Sequence, residues 1–117
     1  MQDIIIKIIN IPHDFYTLRD ISAYTLLKNT GYFEIQYRIN ENDIVKELTN
    51  YPNIVNDWLS WSENKRVDSG WYFKATKNVY VVGYFALNKT VESEIYSDVI
   101  QACASFIKHE IENIRTS

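Results

Sequence analysis

The chain is poor in the residues that staple, punctuate or metallate a small protein. It has one cysteine, Cys103, in 117 residues, so no intramolecular disulfide is possible. Cys103 lies between Ala102 and Ala104 in an apolar helical pattern and reads as a small buried hydrophobe rather than a nucleophile. Three glycines and two prolines are too few for a Gly-rich phosphate loop or a collagen-like repeat, and no P-loop, GxGxxG, HExxH or GxSxG motif occurs. The two histidines, His13 and His109, have no cysteine or histidine at ligand spacing. His13 follows Pro12 at a helix start, and His109, in Lys108-His109-Glu110, falls on the solvated side of the last helix. No motif calls for a metal or cofactor.

Long hydrophobic runs are also missing. Ile4-Ile5-Ile6 is broken by Lys7, and no run approaches the roughly 20 apolar residues that a membrane span needs. Asp3 stands where a signal peptide has its basic region, and no small-residue cleavage site follows. The expectation is an unprocessed cytoplasmic protein. Nor is there a basic excess: 12 Lys and Arg against 15 Asp and Glu give a net charge of −3, the wrong sign for a typical nucleic-acid binder.

What the chain does have is apolar mass, 46% of its residues with 15% aromatic, enough for a core without metal or disulfide. Its length suits a single domain over 1–117. Residues 3–11 are rich in β-branched isoleucine and favour a buried strand, with helix as the alternative. Pro12-His13-Asp14 opens one helix that runs to a stop at Asn29-Thr30-Gly31. Residues 33–39 alternate, with Phe33, Ile35, Tyr37 and Ile39 on one side, which predicts a short strand or extended segment. Asn40 and Asp43 form a capping box before Ile44, Val45 and Leu48, and Pro52 suits the first turn of a helix over 52–65.

Residues 71–96 predict a three-stranded antiparallel meander with two-residue turns at Lys77-Asn78 and Asn88-Lys89. That register sets Phe73 opposite Val82, Trp71 opposite Tyr84, Val82 opposite Ile95 and Tyr84 opposite Ser93. One face then carries Trp71, Phe73, Ala75, Tyr80, Val82, Tyr84, Ala86, Val91 and Ile95 and packs on the core. The other carries Tyr72, Lys74, Thr76, Val81, Phe85, Glu92, Glu94 and Tyr96 and is wet. Val99, Ala102, Cys103, Phe106, Ile107, Ile111 and Ile114 then recur at helical spacing, with Ser97 as N-cap, giving an amphipathic C-terminal helix over about 98–115. The whole is an α+β fold: a meander packed on one face by helices.

Glu92 and Glu94, two apart in a predicted strand, project from one face about 7 Å apart. All three tryptophans fall in Trp58-Leu59-Ser60-Trp61-Ser62-Glu63-Asn64-Lys65-Arg66 and Ser69-Gly70-Trp71-Tyr72-Phe73. Lys65-Arg66 suits either a phosphate or, more simply, the cation-favouring end of a helix. This helix-loop-strand segment resembles small bacterial immunity proteins of contact-dependent growth inhibition and related polymorphic toxin systems. Gly31-Tyr32-Phe33, Val82-Gly83-Tyr84-Phe85 and Ala102-Cys103-Ala104-Ser105-Phe106-Ile107 extend the likeness over residues 31–115.

The resemblance implies a binding protein, not an enzyme, whose partner is the C-terminal domain of a cognate secreted toxin. Most such toxins are nucleases, often acting on tRNA. An acidic surface suits a basic nuclease. The expected toxin-binding residues are Glu92, Glu94 and Tyr96 on the third strand, Tyr72 on the first, and Glu63 and Asp68 on the adjoining loop. No direct contact with nucleic acid or membrane is implied. Two other readings use the same aromatics: a single-stranded RNA platform on Tyr72, Phe85 and Tyr96, and a small-ligand pocket.

Overall fold

The computed structural model describes every residue except Arg66 and Asn88, so the phosphate reading of Arg66 and the turn role of Asn88 lie outside the described residues. Seven α-helices and one three-stranded sheet make up the described chain, an α+β fold. The helices are α1 (Gln2–Ile9), α2 (Ile11–Leu18), α3 (Ala23–Asn29), α4 (Tyr32–Ile35), α5 (Glu41–Asn50), α6 (Ile54–Asn64) and α7 (Val99–Thr116). The strands β1 (Ser69–Thr76), β2 (Val79–Ala86) and β3 (Lys89–Tyr96) form an antiparallel meander in sequence order.

The isoleucine-rich start is helix, not strand. Ile5, Ile8 and Ile9 recur at helical spacing and are all buried, so a continuous apolar stripe outweighs β-branched propensity. The expected single helix over 12–29 is two, broken where Arg19 and Asp20 both take positive φ. Ser22 restarts the chain, its Oγ accepting the Thr25 N–H at 3.1 Å. The alternating segment 33–39 is also not a strand but α4 and a 3₁₀ turn over Gln36–Arg38. Gly31 enters it at φ 91°, a conformation costly for any other residue. Lys108 on α7 holds its far end by donating to the carbonyls of Ile39 at 2.8 Å and Gln36 at 3.5 Å. Those tertiary bonds set the local shape, and no period in the sequence records them.

The capping box at Asn40 and Asp43 forms with both bonds in place. In α7 the cap is Asp98 rather than Ser97, its carboxylate accepting the Ile100 and Gln101 N–H groups. Cys103 is buried, as the sequence implies, and burial pushes its thiol well above the ordinary value.

The core lies between α7, the other helices and one face of the sheet. Phe106 stacks on Phe73 (centroids 5.7 Å) and meets Trp58 edge-on at 6.1 Å. Among the described residues each buried polar side-chain atom finds a partner. Trp58 Nε1 donates to the Ile9 carbonyl at 3.0 Å, satisfying the C-terminal end of α1. Trp61 Nε1 donates at 2.7 Å to Glu110, a carboxylate that is itself only 2% exposed. Lys65 Nζ lies 3.0 Å from both oxygens of Glu110 and donates to the Trp71 carbonyl at 2.8 Å. Glu110 is thus not on a solvated face, and Lys65 is not a free helix-end cation. Together they join α6, β1 and α7.

A second network holds α4 to α7. The Tyr32 hydroxyl donates to Glu112 and accepts from Lys108 Nζ at 2.9 Å. Arg115 clasps both Glu112 oxygens at 3.0 Å. Burial raises the Tyr32 phenol far above its ordinary range and lowers Lys108. The Arg115 hydrogen bonds, helped by Tyr32, hold Glu112 below its ordinary 4.5 despite partial burial.

Two predictions test these networks by denaturant titration. Lys65→Met leaves a buried carboxylate without its cation and should cost about 3–5 kcal/mol. Adding Glu110→Gln, which keeps an acceptor for Trp61, should restore part of that loss; a single-variant cost under about 1 kcal/mol would show the pair to be dispensable. Glu112, with its pKa lowered in the folded state, contributes stability that is complete at neutral pH and is lost as pH falls through the folded value. Glu112→Gln should therefore flatten the decline in stability between about pH 5 and pH 3, and an unchanged acid limb would contradict the assignment.

Candidate functional site

The first hairpin has the expected register, Phe73 opposite Val82 and Trp71 opposite Tyr84, around a turn whose Lys77 and Asn78 both have positive φ. The second does not. Ala86 pairs with Lys89 and Phe85 with Thr90, so the turn begins at Leu87 (φ 52°), not at Asn88-Lys89. The register then slips by one residue between Phe85 and Tyr84, which pairs with Glu92. Val91 is the extra residue of this β-bulge. Because strand side chains alternate, one extra residue reverses every later one. Val82 therefore faces Glu94, not Ile95, and Tyr84 faces Glu92, not Ser93.

This corrects the assignment of faces. Glu92, Glu94 and Tyr96 share the helix-facing side with Trp71, Phe73, Val82 and Tyr84. Ile95 turns outward and is 71% exposed, and Val91 is 64% exposed. Neither joins the core as the simpler register requires. β3 lies at the sheet edge beyond the cover of α7, so Glu92 and Glu94 stay exposed although they face the helix side.

Between β3 and α7 this leaves a cleft of about 180 Å³, lined by Trp71, Val82, Glu92, Ser93, Glu94, Tyr96, Ser105 and His109. Tyr96 OH donates to Glu94 Oε2 at 2.9 Å, and its oxygen lies 3.1 Å from Oγ of the buried Ser105. Burial, reinforced by the Glu94 carboxylate, raises the Tyr96 phenol above its ordinary value. His109 is not on a solvated face. Its ring stacks on Trp71 at 3.8 Å and 11°, and Tyr84 meets Trp71 edge-on at 5.4 Å. Among the described residues, neither Glu92 nor Glu94 forms an ion pair, and no lysine or arginine lines the cleft.

The six residues expected from sequence thus separate. Glu92, Glu94 and Tyr96 come together. Tyr72 lies on the opposite face, its ring over Gly83, where an added Cβ would sit 2.6 Å from the Tyr72 hydroxyl. Glu63, in the last turn of α6 rather than on the loop, borders a groove with Tyr72 and Lys74. Asp68 sits in the loop before β1, where its carbonyl accepts the Leu87 N–H at 3.3 Å. The reading from sequence missed Trp71, Ser105 and His109 as cleft residues. Ser105 and His109 are four apart on α7, beside the apolar stripe, and that spacing was the available signal.

The arrangement holds anionic oxygens in a concave, partly apolar setting, suited to binding a cation. Among the described residues, no group of three or more His, Cys, Asp or Glu side chains is placed to hold a metal ion. No described helix is long and apolar enough to cross a membrane. Comparison with protein-family models, with curated proteins and with solved structures finds no match for this chain.

Proposed function

We propose that this protein is a cytoplasmic immunity protein that neutralises a cognate secreted toxin by stoichiometric binding, without turnover. The observation that carries the reading is the acid pair Glu92 and Glu94, which a β-bulge turns into a cleft free of lysine and arginine among the described residues. A strand edge dressed with two carboxylates and a tyrosine is a surface for a basic protein, and a nuclease is basic where it holds phosphates. The likeness of residues 31–115 to immunity proteins supports the same partner. Tyr72, on the other face of the sheet, and Glu63, in the groove between α6 and β1, drop out of the principal surface, as does Asp68 in the loop before β1.

A second reading has one observation in its favour. The bulge removes both glutamates from the outer sheet face, leaving Tyr72 and Phe85 with centroids 6.2 Å apart and Lys74 Nζ 5.6 Å from the Tyr72 ring. Such a face can stack bases. A single lysine is a small electrostatic contribution, since single-strand binders track the backbone along a positively charged groove. The immunity reading is therefore preferred.

The first test is whether the upstream reading frame encodes the C-terminal end of a large secreted toxin; the second is co-expression with that toxin domain, followed by direct binding measurements. The protein should rescue growth from that toxin and from no unrelated one. Glu92→Lys with Glu94→Lys should weaken binding by about 3 kcal/mol or more, because like charges then meet across the interface. Both residues are exposed, so stability should change by no more than about 1 kcal/mol. Unimpaired binding by the double variant would place the interface elsewhere, and the exposed α6 surface around Asp57 would be the next to test. A single-stranded RNA titration separates the readings: the protein alone should not bind, and saturable binding lost in Tyr72→Ala would favour the stacking platform.

A further inference from the structure

We propose that the cleft between β3 and α7 is a receptor for one guanidinium group, an arginine side chain that projects from the partner's surface. The inference deepens the toxin-binding reading and rests on it. At about 180 Å³ the cleft is sized for a side chain and is too small for a folded element. Its walls differ in kind. On one side are the carboxylates of Glu92 and Glu94; on the other are the aromatic rings of Trp71 and His109, stacked on each other, with Tyr84 edge-on to Trp71. Val82 contributes apolar lining between the two walls.

A guanidinium matches both walls at once. It is planar, always charged and weakly hydrated, so it can lie against an aromatic face while its fork of N–H donors engages carboxylate oxygens. An ammonium satisfies the charge but neither the plane nor the fork. One of the carboxylates is also set in advance. Tyr96 fixes Glu94 through Oε2, with Ser105 behind it, leaving Oε1 among the acceptors. With no cation paired to either glutamate among the described residues, an incoming one relieves the repulsion between them.

The experiment uses the full chain and N-acetyl-arginine amide as probe, with the lysine and citrulline amides as controls, followed by proton–nitrogen correlation spectra. The arginine amide should shift the Trp71 indole and the backbone amides of residues 92–96 saturably, with a dissociation constant on the order of millimolar. The lysine amide should bind at least about fivefold more weakly, and citrulline, the neutral isostere, should cause no shift. Glu92→Gln with Glu94→Gln, exposed positions that leave the core untouched, should abolish the effect. Equal responses to arginine and lysine would overturn the proposal, as would arginine shifts that persist in the glutamine variant. Failure here with intact rescue from the toxin overturns the guanidinium receptor alone. Arginine binding without rescue supports the receptor and counts against the toxin reading.

Discussion

The ion pair between Lys65 and Glu110 is the interaction on which the rest of the structure depends. Glu110 stands inside the apolar stripe of α7, seven residues from Cys103 and four from Phe106, where an unpaired carboxylate would be strongly unfavourable. Lys65 and Trp61 make it tolerable, and in doing so they fix geometry. The same ammonium that meets Glu110 takes the Trp71 carbonyl, so the start of β1 is tied to the C-terminal half of α7. The neighbours along each chain are then Trp71 and His109, whose stacked rings wall the cleft. A hydrophobic replacement of similar shape can match the stability, but it would not set this register between strand and helix.

The cleft's other wall has a different origin, the bulge at Val91. Without the extra residue, pairing from Ala86–Lys89 onward would put Ser93 and Ile95 toward α7 and both glutamates on the outer face. One residue of irregular pairing therefore decides which side of the sheet is acidic. Bulges commonly re-aim side chains in this way at binding sites. Rigid core on one wall and an open edge strand on the other give the cleft a fixed aromatic face and an exposed acidic one.

What the sequence revealed follows the range of the interactions. The α+β class, the first hairpin, the Asn40 capping box and the C-terminal helix rest on local patterns and were legible. The second hairpin was misjudged because its turn begins at Leu87, an exposed apolar residue in a left-handed conformation, where turn chemistry would place Asn. The segment 33–39 alternates as a strand does, yet Lys108, some 70 residues on, holds its carbonyls in a helical turn. Glu110 was the most informative residue passed over. A carboxylate at a core position of a helix signals a buried partner.

The two edges of the sheet also explain why binding and folding are kept apart. At the β1 edge α6 covers the strand, and Ser62 Oγ accepts the Phe73 N–H at 2.8 Å, so that edge is closed. Among the described residues no further strand pairs with the β3 edge, and an open edge invites pairing with another copy. Glu92 and Glu94 oppose this. In a two-fold antiparallel pairing centred on Ser93, Glu92 of one copy would face Glu94 of the other at both ends. The bulge adds twist and breaks the ladder further. The charges that discourage self-association are thus the same ones that, in the proposed function, meet a cationic partner, so one pair of residues would serve both exclusion and selection.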